Sequence, residues 1–169
     1  MMKNKDRVTV TINIKPHLQD FLRHEFPSHM DGTIIINRRE AIGLYIYSMW
    51  TILDRPIKKK ECTNPCSLSV SIRRDNYYIL KGNFIDIPVW REKLINDYLE
   101  AEFRLRVRDF FTIGYEKGFR QKDIIDGFLQ AYNIKTNAIN YDMIKQLDFR
   151  NRRDFKNNVV KEIQLTLFK

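Results

Sequence analysis

Residues Arg7 to Asn13 read Arg-Val-Thr-Val-Thr-Ile-Asn, with apolar side chains at every second position as far as Ile14. That period sends Val8, Val10 and Ile12 to one face of an extended strand and Arg7, Thr9, Thr11 and Asn13 to the other. The first face needs a core. The second is a row of short hydrogen-bonding side chains with a cation at one end. A lone strand of this length is not stable, so its edge needs a partner. The same strand of a second copy is the expected partner, which makes the chain a homodimer. An ordinary half-buried strand in a mixed sheet is the alternative.

The segments that follow are mostly helical in pattern. Lys15-Pro16 starts a helix, because proline's missing N–H costs nothing in the first turn, and Leu18, Phe21, Leu22 and Phe26 form its apolar stripe. Thr33 to Ile36 reads as a short strand or a buried loop. As a strand it would pair with Val8–Ile14 inside one subunit. Asn37 can cap a second helix with Glu40 reaching back to it, and Ile42, Tyr45, Ile46, Met49 and Ile52 or Leu53 make that helix's buried face. Arg55 to Cys66, with Lys58-Lys59-Lys60 and Asn64-Pro65, reads as a linker. Leu68–Ile72 and Tyr77–Leu80 suggest a β-hairpin. Pro88–Tyr115 is a long helix that Gly118 stops. Gln121–Tyr132 is another, and Asn137 caps a third that runs to about Arg153. The tail, with Val159, Val160, Ile163, Leu165 and Leu167, suits a helix and an extended segment equally. The expected fold is α+β and mostly helical. A strand-helix-helix unit spans residues 1–56, a linker 57–67, and a β-hairpin plus helical domain 68–169.

Charge supplies the first functional hint. Lysine and arginine number 30 against 21 acidic residues, a net charge of +9 in 169 residues. Such an excess favours polyanions, nucleic acid first and an anionic membrane surface second. No apolar run approaches the length of a membrane span and no signal-peptide core follows the first lysines, so no membrane partner is expected. The two cysteines, Cys62 and Cys66, cannot build a disulfide framework, which suggests a cytoplasmic setting.

A two-faced strand, a helix, a turn and a helix opening Asn-Arg-Arg-Glu-Ala-Ile together resemble the ribbon-helix-helix family of DNA-binding proteins, over roughly Arg7 to Leu53. The resemblance implies that two copies pair their first strands into a ribbon that enters the major groove of double-stranded DNA. Arg7, Thr9, Thr11 and Asn13 would then contact bases. Asparagine can pair bidentately with adenine, and threonine can hydrogen-bond several bases or pack its methyl on thymine. The family also holds a phosphate at the amino end of the second helix, here Asn37, Arg38 and Arg39. Helix N–H groups favour an anion there, and two cations at that end oppose the dipole unless an anion joins them. The connection Pro27–Ile36 is longer than the family's turn.

The carboxyl half carries a second hint. Gln121–Tyr132 and Ala138–Arg153 can pair as a helix-turn-helix, or as two helices of a plain bundle. In the first arrangement Asn140, Lys145 and Gln146 reach base edges, and Arg150, Arg152, Arg153 and Lys156 meet phosphates. Phe149 and Phe155 interleave with these cations, as in a nucleic-acid surface or as core anchors.

Catalysis finds little support. The glycines are isolated, there is no Gly-x-Ser-x-Gly elbow, and no acidic cluster suits two metals. Cys62-Thr-Asn-Pro-Cys66 lacks a second ligand pair for structural zinc, and His17, His24 and His29 are scattered. No enzyme activity, cofactor or metal is expected. The expected function is a sequence-specific double-stranded DNA-binding regulator or accessory factor of a phage or mobile element. The alternative is a protein-interaction or structural module, antitoxin-like, that binds a partner through the aromatic helical carboxyl half.

Overall fold

The fold is that of a computed structural model, which describes residues 7–55, 62–71 and 84–167. About 61% of the described residues are helical, and the class is α+β. In chain order the elements are β1 (Arg7–Asn13), α1 (Pro16–Glu25), β2 (Ile34–Ile36), α2 (Ala41–Ser48), β3 (Thr51–Leu53), β4 (Pro65–Ser71), β5 (Phe84–Asp86), α3 (Val89–Glu116), α4 (Gln121–Ala131) and α5 (Ala138–Leu167). The chain divides into two compact units, Met1–Glu100 and Ala101–Lys169, with the boundary inside α3.

The partner of β1 lies in its own chain. β1 runs antiparallel to β4, and β2 adds parallel to the other edge of β4, giving the order β1-β4-β2. The expected pairing with a second copy is therefore replaced, on this edge, by pairing in cis. The register explains the choice. Val10 opposes Leu68 and Ile12 opposes Cys66 on one face, while Thr9 opposes Ser69 and Thr11 opposes Ser67 on the other. Both strands alternate in the same sense, so apolar meets apolar and hydroxyl meets hydroxyl along the ladder. The expected linker at 57–67 ends inside this strand, and the expected boundary there gives way to the one in α3. Of the expected hairpin, Leu68–Ser71 belongs to β4, and Tyr77–Leu80 lies outside the described residues.

The apolar face of the sheet joins the core of the first unit. Val10, Ile12, Ile34, Ile36, Leu68 and Val70 are buried, as are Leu18, Phe21 and Leu22 of α1. Each such side chain contributes roughly 1.5–3 kcal/mol on leaving water. Ile34–Ile36 is indeed a strand, but its neighbour is β4 rather than β1. The second helix is shorter than its apolar pattern suggests. It starts at Ala41 and ends at Ser48, after which Thr51–Leu53 pairs with β5. Its end is capped from afar. Arg91 of α3 donates from Nη1 to the carbonyls of Met49 and Trp50 and to Thr51 Oγ1, at 3.0, 3.1 and 2.7 Å.

In the second unit, Phe128 is fully buried and meets three rings, those of Phe103, Phe110 and Tyr132, at centroid distances of 5.6, 5.3 and 4.4 Å. α3 and α4 both end with the paired 6→1 and 5→2 backbone bonds of a Schellman turn, through Gly118 at φ 77° and Asn133 at φ 50°. Asn137 caps α5 by accepting the Asn140 N–H at 2.8 Å. α5 continues to Leu167, well past Arg153, so the tail is helical.

Candidate nucleic-acid interface

Cis pairing of β1 widens its polar row into a sheet face. Thr9 and Thr11 are exposed on it, and Thr11 Oγ1 lies 3.2 Å from Ser67 Oγ. The other two strand residues are tied to the protein. Arg7 donates from Nε to Ser69 Oγ at 3.0 Å and from Nη2 to the Ser69 carbonyl at 2.9 Å, which lays its side chain across β4. Asn13 Oδ1 accepts the Asn64 N–H at 2.9 Å, and its carbonyl accepts from Asn96 Nδ2 at 2.9 Å. Its side chain therefore holds the entry to β4. Partial burial lowers the Arg7 guanidinium from its ordinary value. The group stays charged near neutrality, and its lost hydration favours an anion beside it.

The turn before α2 brings two more guanidinium groups to the same side of the first unit. Arg7, Asn37, Arg38, Arg39 and Glu40, with Ile35 of β2, border one hollow of about 570 Å³. Asn37 uses both ends of its amide to shape this turn. Its Oδ1 accepts the Arg39 N–H at 3.1 Å and its Nδ2 donates to Glu40 Oε1 at 3.0 Å. The expected cap does not form: Asn37 stands one turn ahead of the helix, and its contact with Glu40 joins the two side chains without capping a helix N–H. The residue at the helix cap is Glu40, with no side-chain cap bond. Gly43 fixes where the turn sits, because a Cβ there would overlap the Asn37 carbonyl. Arg38 lies over the Tyr47 ring, 4.7 Å from its centroid. Among the described residues no carboxylate forms an ion pair with Arg7, Arg38 or Arg39, and the nearby Glu40 is turned to Asn37.

A second hollow, of about 500 Å³, adjoins the first and shares Arg7 with it. Thr9 and Ser69 of the sheet line it, together with His29, Met30, Asp31 and Thr33 from the turn between α1 and β2. Asp31 Oδ1 accepts the Thr33 N–H at 2.9 Å, which holds its carboxyl below the ordinary carboxylate range. Gly32, at φ 81°, makes the turn possible.

Of the site residues expected in the amino-terminal third, Arg7 borders one hollow with Asn37, Arg38 and Arg39 and a second with Thr9, whereas Thr11 and Asn13 border neither. The carboxyl-terminal cations belong to the other unit. Arg152 donates to the buried Asp148 at 2.8 Å and lies 5.5 Å from the centroid of the Tyr115 ring. Arg153 sits 3.7 Å from Asp154, while Arg150 and Lys156 are exposed on α5. Of the residues expected to reach bases from that helix, Asn140 donates from Nδ2 to the Lys135 carbonyl at 2.7 Å, and Lys145 and Gln146 are exposed. Phe149 and Phe155 are exposed as well, so neither is a core anchor. Sequence reading passed over Ser67, Ser69, Asp31 and Thr33. The Ser-Leu-Ser-Val alternation was visible, but it carried meaning for the site only once β4 was known to lie beside β1.

Cys66 is buried in the core face of β4, and burial pushes its thiol up to about 11. Among the described residues no group of three or more His, Cys, Asp or Glu side chains could hold a metal ion, and no helix is long and apolar enough to cross a membrane. Compared with protein-family models, curated proteins and solved structures, the chain matches none.

Proposed function

We propose that the first unit is a nucleic-acid-binding module whose arginine turn takes the sugar–phosphate backbone and whose polar sheet face meets the bases. One observation carries this reading: Arg7, Arg38 and Arg39 border a single hollow with no ion-paired carboxylate among the described residues. Guanidinium groups match phosphate oxygens bidentately and are less strongly hydrated than ammonium groups. The net charge of +9 adds long-range attraction for a polyanion. Thr9, which lines the adjoining hollow, and Thr11, exposed further along the same strand face, offer hydroxyls and methyls to base edges. Double-stranded DNA, the partner implied by the ribbon-helix-helix resemblance, is one ligand to test. In that family's mode a second copy would have to add to the outer edge of β1, since β4 holds the inner one.

The test is fluorescence anisotropy with labelled duplex and single-stranded oligonucleotides of one sequence, in a chloride series, with the protein's mass measured in the same buffer. The expected result is binding whose logarithm falls linearly with the logarithm of salt. No binding at about 50 mM salt, or a flat salt response, would overturn the reading.

A protein-interaction role for the second unit has its own support. From Arg152 to Leu165 every residue of α5 except Val159 is exposed, including Phe155, Val160 and Ile163 at 72%, 47% and 50%. Exposed apolar side chains of that kind on an uncovered helix are a surface that a partner could bury. Phe155→Asp should abolish any association this face mediates and leave nucleic-acid binding intact. Loss of nucleic-acid binding in this variant would contradict that division of roles.

A further inference from the structure

We infer that the paired hollows hold a segment of a single strand, with one guanine in the hollow of Asp31 and the successive backbone phosphates beside it each meeting one of the arginines. The inference rests on the nucleic-acid reading above and names its ligand class. One observation and one principle favour a single strand over a duplex. First, the Arg38–Arg39 turn borders one hollow and the His29–Asp31 turn, with Thr9 and Ser69 of the sheet, borders another, and Arg7 belongs to both. A ribbon that reads a major groove must project into it, whereas hollows of about 570 and 500 Å³ suit a small ligand group. Second, bases in a duplex are stacked and paired, and only an unstacked base can turn its Watson–Crick edge into a pocket.

The choice of base follows from the acceptors. Asp31 carries one carboxylate, and its Oδ1 already accepts the Thr33 N–H. A carboxylate has about four lone-pair sites on its two oxygens, so it can still accept a pair of hydrogen bonds. Guanine alone among the four bases presents two adjacent N–H donors on that edge, N1–H and N2–H. Adenine and cytosine offer a single amino group beside an acceptor, which a carboxylate repels, and uracil offers one N–H between two carbonyls. Met30, with its side chain fully out in solvent at the rim, can close over the base plane. Arg7 borders both hollows, so its charge serves the phosphate that links the base to the next nucleotide.

The test compares a labelled uridine hexamer, the same hexamer with one central guanosine, the duplex of the second sequence, and free guanosine monophosphate. A good bidentate contact is worth about tenfold or more in discrimination. The guanosine hexamer should therefore bind about tenfold more tightly than the uridine hexamer and more tightly than the duplex. Asp31→Asn keeps an oxygen for the Thr33 N–H and so preserves the turn, but replaces one acceptor with a donor. It should bring the guanosine hexamer down to the uridine level. Asp154→Asn, an exposed acid on α5, is the control that keeps the preference. Equal binding of both hexamers, tighter binding of the duplex, or free nucleotide binding as tightly as the hexamer would each overturn this inference while leaving the broader one standing. Failure of every nucleic acid to bind at low salt would overturn both.

Discussion

Replacing Arg38 and Arg39 together by glutamine should change the salt dependence of binding by a calculable amount. On a single strand each neutralised phosphate contributes about 0.7 to the slope of log affinity against log salt. If Arg7, Arg38 and Arg39 each meet one phosphate, their joint slope is about −2.1, and affinity falls roughly 18-fold between about 50 and 200 mM salt. The double variant keeps Arg7 alone, so its share of the slope drops to about −0.7 and the same salt change costs only about 2.6-fold. Other cations add equally to both proteins, so the difference in slope, about 1.4, is the quantity to read. The variant should fold. Arg39 is exposed and Arg38 half-buried in a surface turn, and the lost stacking of Arg38 on Tyr47 is worth about 0.5–1 kcal/mol. Replacing both by lysine should keep the slope and weaken affinity at every salt concentration, because a point charge loses the bidentate fit. Anisotropy titrations at five chloride concentrations give all three slopes. A glutamine variant that binds more weakly but with the wild-type slope would refute the assignment of these residues to phosphate.

Three further outcomes follow from particular contacts. Gly43→Ala forces the Asn37 carbonyl away from α2, so it should lower the melting temperature and weaken binding; a variant with wild-type melting and wild-type affinity would show that the close approach does not set the arginine turn. Asp148, 2% exposed, accepts from the Tyr115 hydroxyl at 2.9 Å, Gln121 Nε2 at 2.7 Å and Arg152 at 2.8 Å. Burial and then this carboxylate push the Tyr115 phenol up to about 12. Asp148→Ala should cost about 1–3 kcal/mol, since two half-buried donors lose their acceptor, and Asp148→Asn should bring the phenol's titration down, read as tyrosinate absorbance; no movement would exclude the carboxylate as a cause. Burial lowers the His17 imidazole below 6.5, and Glu100, 3.4 Å away, opposes this without cancelling it. The unfolded chain therefore takes up that proton first, and stability falls as pH drops from 6.5 through the folded value. Urea unfolding between pH 5 and 7.5 should show this slope flattened in His17→Gln, whereas a wild-type slope of opposite sign would contradict it.

Local signals in the sequence located most of the elements. The alternation at Arg7–Asn13, the proline at the start of α1, Gly118 after α3 and Asn137 before α5 each act within a few residues of where they stand. What could not be read were effects that act across the chain. β1 pairs with a strand some 60 positions away, and only the register shows that the two alternations match. The early end of α2 depends on a guanidinium from α3, which no pattern near Ser48 announces. The site divides the same way. Arg7, Thr9, Arg38 and Arg39 were legible as a polar strand face and a basic helix start. That they share one side of the unit, and that Asp31 and Ser69 stand with them, depends on β4 and β2 lying side by side.

The proposed nucleic-acid surface can be tested residue by residue, by following backbone amide resonances of the whole chain while the guanosine-containing hexamer is added. Perturbations gathered at Arg7, Thr9, Asp31, Thr33, Arg38, Arg39 and Ser69 are the predicted result. Perturbations confined to Arg150, Arg152, Arg153 and Lys156 on α5, or none at saturating hexamer in low salt, would contradict the assignment of the interface to the first unit.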